Sequence, residues 1–226
     1  LGSRVLVPAI HDEIEGVSGV VLPWRQPLSD QRALWRVQRE MIRPGLSRWL
    51  REVARHTRRP VDSVEKSFLR PLRYMAETAL ATDDIRRAAR TSLDELEAES
   101  WKPCHVLEHN DVWRGNVLLE LPRPRRIPLS RRFVLTDWPG ARIDDGYPIY
   151  DLVRMADSFG MSSPALAREL RLYADILECS PHSCMGYLLA SLGRLGLEPE
   201  HFLEKLYRDA MRRCFSILQA GLSLRP

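Results

Sequence analysis

Cysteine and long hydrophobic runs are scarce in this sequence. The four cysteines, Cys104, Cys179, Cys184 and Cys214, are too few and too scattered for the disulfide framework of a small secreted domain. Cys179 and Cys184 form one C-x4-C pair, and no second pair completes a zinc site. No run approaches the ~18 apolar residues of a membrane helix, and the N-terminus lacks the pattern of a secretory signal. We therefore expect reduced thiols, a cytoplasmic location and no integral membrane association.

Lysine is also scarce, because Lys66, Lys102 and Lys205 are the only lysines among 34 basic residues. Acidic residues are interleaved with the arginines, so the formal net charge is only +4. This balance gives no sign of a nucleic-acid partner. With 28% charged and 44% hydrophobic residues over 226 positions, the chain has an ordinary globular composition and can bury a sizeable core.

The first part of the chain predicts two short strands followed by a helix. Between Val5 and Trp24, β-branched residues alternate with polar residues and glycine, which is typical of strands. After Pro27 the apolar spacing becomes helical, with Ser29 as a candidate cap. We expect Pro44 to break this helix and a second arm to resume over Leu46 to Arg55.

The apolar spacing predicts six further helices. Two lie before the middle of the chain, at Asp62 to Ala81 with a kink at Pro71, and at Asp83 to Glu99. The other four follow the middle of the chain: Ile149 to Phe159, Ala165 to Leu177, Ser183 to Leu195, and Glu200 to Leu218 with a start at Pro199.

A β-hairpin is predicted between the helical blocks, over His105 to Trp138. A lone two-stranded ribbon is marginally stable in water, so this hairpin should lie on a helical platform. Its long loop carries a basic cluster that either meets an anionic substrate or is simply solvated: Arg123, Arg125, Arg126, Arg131 and Arg132.

Chemistry-bearing residues stand at one end of this hairpin. The segment His109-Asn110-Asp111-Val112-Trp113-Arg114-Gly115-Asn116 precedes the first strand, and Thr136-Asp137-Trp138 follows the second. The hairpin thus brings two carboxylates and a carboxamide to the same end. Such oxygen ligands suit Mg²⁺, which phosphoryl transfer requires against the phosphates of its nucleotide.

Three motifs resemble one known family. H-N-D-V-W-R-G-N is similar to the catalytic loop, H-G-D-x-x-x-x-N, of the aminoglycoside phosphotransferase and choline kinase family, which has a protein-kinase-like fold. F-V-L-T-D-W-P-G-A resembles the metal-binding I-D-W segment of that family, and G-Y-P-I-Y-D-L-V resembles its G-x-P-x-x-D-L-A block. The motifs occur in the family's order, and the resemblance extends over almost the whole chain.

The resemblance implies a role for each matching residue. Asp111 would accept or orient the proton of the substrate hydroxyl, and Asn116 and Asp137 would hold Mg²⁺ with ATP. His109 would brace the loop from beneath, and Asp151 would anchor the loop backbone from the next helix. The alternative for Asp111, Asn116 and Asp137 is a turn-capping role, since Asp and Asn favour such positions.

Five further residues remain open. Trp113 can stack on a substrate ring and Arg114 can pair with phosphate, but packing within the loop explains both equally well. Asp144, Asp145 and Asp157 can receive a cationic acceptor, and solvated charge is the alternative. No side chain in the later helices identifies the acceptor.

The resemblance implies an α+β, mostly helical fold in two unequal parts. Residues 28–226 correspond to a kinase-like C-terminal lobe with the catalytic hairpin. Residues 1–27 correspond to a remnant of the N-terminal lobe, with two strands and a hinge at Pro23 to Pro27. These 226 residues contain neither the glycine-rich strand pair nor the strand lysine that kinases place over ATP. We therefore expect this chain to bind ATP weakly or not at all, to self-associate, and to need residues N-terminal to Leu1 or a partner that supplies the missing lobe for activity.

The resulting expectation is an Mg-ATP-dependent phosphotransferase. It would transfer the γ-phosphoryl group to a hydroxyl of a small molecule, such as an aminoglycoside, choline, a sugar or a lipid-linked saccharide. The alternative is a truncated, non-catalytic binding or scaffold module. The intact Asp111, Asn116 and Asp137 trio argues against that alternative, because a chain without catalysis has no physical need of it.

Overall fold

The computed structural model describes residues 10–14, 17–21, 25–119, 133–198 and 203–224, and within them the fold is α+β and mostly helical, as predicted. Its helices are α1 (Arg32–Thr57), α2 (Arg70–Glu77), α3 (Asp83–Glu97), α4 (Tyr150–Ser158), α5 (Ser163–Leu177), α6 (Ser183–Leu197) and α7 (Glu204–Leu222). Its strands are β1 (Ile10–Ile14), β2 (Val17–Val21), β3 (Gln26–Pro27), β4 (Val106–Glu108), β5 (Val117–Leu119), β6 (Phe133–Leu135) and β7 (Arg142–Gly146).

Some predictions lie outside these described residues. They concern the basic loop with Arg123, Arg125, Arg126, Arg131 and Arg132, the helix start at Pro199, and the hinge at Pro23. Within the described ranges, no helix has the length and apolar character needed to cross a membrane.

The first helix continues through Pro44, so the predicted break is wrong. A single α1 runs from Arg32 to Thr57 with Pro44 inside it. Buried residues on both sides of Pro44, including Ile42 and Leu46, pack into the same core, and Pro44 itself is exposed. This packing holds the helix together although proline removes one of its hydrogen bonds. Ser29 lies before Gln31, the residue that precedes α1, and does not cap the helix.

The predicted helix over Asp62 to Ala81 is shorter and irregular. A π-helical turn, Glu65–Leu69, leads directly into α2, in which Pro71 occupies the first turn. A first-turn proline removes no hydrogen bond that the helix needs, and the wider π turn precedes it. We expected a kink at Pro71, and the structure instead has a π-helical turn immediately before the helix that contains Pro71. The four helices after Ile149 are confirmed, with bounds that differ by a few residues.

The hairpin is part of a three-stranded sheet, which corrects the expectation of a two-stranded ribbon. Strands β5 and β6 pair antiparallel, with Val117 opposite Leu135. Strand β3 pairs with the other edge of β5, since Gln26 lies opposite Leu119. The sheet thus ties the segment before α1 to the loop of residues 109–116.

A second antiparallel pair, β4 with β7, holds the chain on the other side of this loop. The sequence of β7, R-I-D-D-G, has no apolar alternation, and we did not predict this strand. Gly146 ends β7 against Glu108: a Cβ there would lie 2.4 Å from the Glu108 Cβ. Only a residue without a side chain permits so close an approach.

The core lies among the helices and beneath these short sheets. Aromatic rings of Phe68, Trp101, Tyr147 and Tyr187 pack edge to face, with centroid distances of 4.9 to 5.8 Å. Helices α2 and α6 approach closely at Gly193, where a Cβ would lie 2.2 Å from the Pro71 carbonyl oxygen.

Candidate active site

The loop of residues 109–116 is anchored from below by Asp151. The Asp151 carboxylate, in the first turn of α4, accepts hydrogen bonds from the backbone amides of His109 at 2.6 Å and Asn110 at 2.9 Å. Asp151 is only 5% exposed. A buried carboxylate that bonds two successive amides fixes the path of the backbone there.

Two residues of the site adopt a left-handed backbone. Asn110 has φ of 69° and Asp137 has φ of 63°. Glu99 and Glu178, the other described non-glycine residues with positive φ, follow the C-terminal ends of helices, where such a conformation is common. In contrast, neither Asn110 nor Asp137 follows the C-terminal end of a helix. Residues held in this sparsely populated region cluster at functional sites.

Asp111 is held from two sides. Asn116 Nδ2 donates to Asp111 Oδ2 at 2.9 Å and to the Asp111 carbonyl oxygen at 3.0 Å. Arg154, one turn after Asp151 in α4, donates to Asp111 Oδ1 at 3.1 Å. The Asp111 side chain nevertheless remains 43% exposed. It is therefore a fixed carboxylate that a small molecule can reach.

His109 is buried beneath the loop. Its Nε2 lies 2.9 Å from the Thr136 carbonyl oxygen, so this nitrogen carries the proton and donates. The pKa of His109 is lowered, because the effect of burial exceeds the opposing effects of the Thr136 carbonyl and of the Asp111 and Asp137 carboxylates. The neutral imidazole packs edge-on against the Trp138 ring at 4.5 Å. It joins the loop to the end of β6.

Asn116 and Asp137 come together at the end of the β5–β6 pair. Thr136 N donates to the Asn116 carbonyl oxygen at 3.0 Å, which places Asp137 one residue beyond this contact. Both N–H bonds of the Asn116 amide go to Asp111, which leaves Asn116 Oδ1 as a separate acceptor. Asp137 is exposed, and its carboxylate has no hydrogen bond or ion pair within the described residues.

These donors fit Mg²⁺ that arrives with phosphate. The ion prefers oxygen and commonly takes only one or two ligands from protein, the rest coming from water and phosphates. Asn116 Oδ1 and the Asp137 carboxylate supply two such oxygens. Among the described residues, no group of three or more His, Cys, Asp and Glu side chains is arranged to hold a metal ion.

Trp113 and Arg114 occupy different environments within the loop. Trp113 is 42% exposed, and its ring lies over Gly115, where a Cβ would come within 2.4 Å of the indole. The Arg114 amide donates to Ser158 Oγ at 2.8 Å, and its guanidinium pairs with Asp30 at 2.9 Å. The Arg114 guanidinium also lies 5.6 Å from the Trp35 ring centroid.

The three other acidic candidates are all paired with arginine. Asp144 pairs with Arg59 and Asp145 with Arg194, both on the β7 side of the fold. Asp157 pairs with Arg213 at 2.7 Å. Each of the three carboxylates therefore has an arginine partner, as Asp111 does, and the Asp144 side chain is 80% exposed.

A second buried carboxyl lies near Asp151. Glu108, which is 1% exposed, accepts the Tyr147 amide at 2.9 Å and contacts Ser191 Oγ at 3.4 Å. Burial raises the pKa of Glu108 to about 8, and the nearby Asp151 charge acts in the same direction. Burial also raises the pKa of Asp151, to about 7, although its two amide bonds and Arg154 act in the opposite direction. Of the two buried carboxyls, Glu108 therefore holds its proton the more strongly.

Three residues near the loop were not predicted from the sequence: Arg154, Trp35 and Arg213. Arg154 follows Asp151 by three positions, and this spacing would have placed it on the same face of α4. Trp35 and Arg213 carry no such signal, because they reach the site from α1 and α7.

No family model matches this chain, and a search of curated proteins found no match either.

Proposed function

We propose that this chain is the kinase-like C-terminal lobe of a phosphotransferase that moves the γ-phosphoryl group of Mg·ATP to a hydroxyl of a small molecule. One observation carries the proposal: Asp111 is exposed yet fixed between Asn116 and Arg154, on a loop that Asp151 anchors. A carboxylate with this combination of accessibility and rigidity suits proton transfer.

Each residue of the site has a distinct task in this reaction. When bound, Mg·ATP supplies the phosphoryl group and the neutralisation of its phosphate charges. Asn116 Oδ1 and Asp137 would hold the ion. Asp111 would accept the proton of the acceptor hydroxyl and orient its oxygen, while Arg154 holds the carboxylate in place.

The test is transfer of labelled phosphate from γ-labelled ATP. The 226-residue protein is incubated with millimolar Mg·ATP, since weak nucleotide binding is expected, and with a panel of cationic, neutral and anionic hydroxyl compounds. We expect labelled product at high protein concentration, where self-association can supply the missing lobe, and a loss of about 100-fold or more in Asp111→Asn. Asp175→Asn, which changes an exposed aspartate of α5, is the matched control.

The outcome of this assay is decisive in both directions. Turnover by Asp111→Asn at the parental rate would contradict the role of Asp111. Absence of labelled product, together with absence of Mg²⁺-dependent nucleotide binding, would contradict the proposal and favour a non-catalytic binding module. Circular dichroism on each variant separates loss of activity from loss of folding.

A further inference from the structure

Two cysteines that play no part in the proposed function lie where α5 passes into α6. Cys179 follows α5, and Cys184 lies in the first turn of α6. Ser183 N donates to Ser180 Oγ at 3.1 Å, and Cys184 N donates to the Pro181 carbonyl oxygen at 3.3 Å. A serine oxygen that accepts the amide three residues later makes the hydrogen bond of a helix N-cap, and proline is favoured at the position that follows the cap. The chain therefore enters α6 through a turn that Ser180 caps.

This cap places the two cysteine side chains against each other. Cys179 is the residue before Ser180, and Cys184 is the fourth residue after it. Side chains at these two positions of a capped helix pack together and fix the direction in which the chain enters the helix. Here both side chains are thiols, and Cys184 Sγ donates a hydrogen bond to Cys179 Sγ. The folded chain thus holds two sulfur atoms as neighbours.

The two thiols differ in accessibility and in their surroundings. Cys179 is half-buried, whereas Cys184 is 0% exposed. The Arg58 guanidinium donates to the Ile176 carbonyl oxygen at 3.1 Å and to Glu178 Oε2 at 2.8 Å, so its positive charge lies near Cys179. The hydrogen bond from Cys184 lowers the pKa of Cys179, and Arg58 acts in the same direction, although burial opposes both. Cys179 is therefore the thiol that reacts first, because reactivity follows the thiolate fraction and access.

We propose that Cys179 and Cys184 form a reversible redox site, in which a low-molecular-weight disulfide such as glutathione disulfide converts the two thiols into an intramolecular disulfide. The Cys179 thiolate attacks one sulfur of glutathione disulfide and releases a glutathione thiolate, which takes up a proton from water. Cys184 then attacks the Cys179 sulfur of the mixed disulfide, and its proton leaves with the second glutathione. The two protein thiols lose two electrons, and one glutathione disulfide is reduced to two glutathione molecules.

Oxidation of the native 226-residue protein by glutathione disulfide, without denaturant, tests this site. Remaining free thiols are blocked by alkylation, and the protein is digested with trypsin without reductant for mass spectrometry. No Lys or Arg lies between Arg171 and Arg194, so both cysteines fall in the single peptide 172–194. We expect most of this peptide to be unalkylated and two hydrogen atoms lighter than its reduced form. Dithiothreitol should return the peptide to the reduced form.

Three variants assign the roles of the cysteines. Cys184→Ser should retain one glutathione on Cys179, since no second thiol is present to resolve the mixed disulfide. Cys179→Ser should leave the buried Cys184 unmodified. Cys214→Ser is the matched control, because it makes the same change at a thiol of α7 that is 2% exposed, and its peptide 172–194 should be oxidised as in the parent. Circular dichroism establishes that each variant is folded.

A peptide 172–194 that stays reduced in glutathione disulfide would overturn this inference. A cross-link of Cys179 to Cys104, which also lies near Arg58, would overturn it too and would appear as two joined peptides. Glutathione that remains on Cys179 of the parent protein would contradict the role of Cys184. The reaction contains no nucleotide, so none of these outcomes bears on the phosphate-transfer assay, and failure of that assay leaves the redox site untouched.

Discussion

Asn116 donates both of its side-chain N–H bonds to Asp111, one to the carbonyl oxygen at 3.0 Å and one to the carboxylate at 2.9 Å. The amide oxygen of Asn116 is thereby turned away from Asp111. One side chain thus orients the proposed base and presents an oxygen to a metal ion, so its replacement should affect both tasks.

We expect Asn116→Ala and Asp137→Ala each to weaken Mg²⁺-dependent nucleotide binding by about tenfold, since each removes one oxygen from an ion with few protein ligands. Titration of Mg·ATP with and without excess chelator measures this difference. Binding of metal-free ATP should stay at the parental level in both variants. An unchanged Mg²⁺ dependence in both would show that neither residue holds the ion.

Asp151→Asn should destabilise the protein by about 2 to 3 kcal/mol, because an amide that replaces the carboxylate leaves one buried backbone N–H without an acceptor. The amides of His109 and Asn110 should also exchange faster with solvent. Denaturant unfolding and hydrogen exchange measure the two effects. Asp175→Asn, on the exposed face of α5, should change stability by less than about 0.5 kcal/mol.

Glu108→Gln should make stability less dependent on pH between about 5 and 8. The pKa of Glu108 is raised by burial to about 8, so the folded protein retains a proton that the unfolded chain releases above about pH 4.5. The protonated Glu108 therefore makes its full contribution to the free energy of unfolding at low pH. This contribution is lost as the pH rises towards 8.

The neutral glutamine avoids this loss, and the variant should gain about 1 to 3 kcal/mol relative to the parent at pH 8.5 compared with pH 5. Urea unfolding at a series of pH values gives the comparison. Parallel pH profiles for the two proteins would mean that Glu108 is ionised in the folded state.

Gly193→Ala should destabilise the protein by about 1 to 3 kcal/mol, because the new methyl group would lie 2.2 Å from the Pro71 carbonyl oxygen in the backbone of α2. This cost exceeds the ~1 kcal/mol that alanine gains over glycine within a helix. Gly140→Ala is the control, since the nearest atom to its Cβ is 3.9 Å away. Thermal unfolding of both variants checks the difference, and equal midpoints would contradict it.

The helices after Ile149 could be predicted because their apolar spacing is regular, and α5 also has a proline in its first turn. The continuity of α1 could not, because the apolar face that spans Pro44 outweighs its local effect. Strand β7 was missed since its residues, R-I-D-D-G, favour a turn when considered alone. Its strand conformation comes from pairing with β4, which is a long-range contact.

The same contrast applies to the candidate site: local spacing could be read from the sequence, but long-range packing could not. The spacing from His109 to Asn116 places Asp111 and Asn116 in one short loop, and the hairpin brings Asp137 to its end. Arg154 and Arg213 contact the site only because α4 and α7 pack beneath it, and no local pattern encodes that packing. Sequence therefore predicted Asp111, Asn116 and Asp137 but not Arg154, which holds the second oxygen of the Asp111 carboxylate.

The pairing of β3 with β5 joins segments more than ninety positions apart in the chain. Closing so long a loop has a large entropic cost, and only two residues of β3 take part in the contact. During folding this edge should therefore form late, after the helices have acquired their local contacts. The loop that carries Asp111 begins the neighbouring strand, so the site should be among the last parts of the molecule to become ordered, and among the first to open.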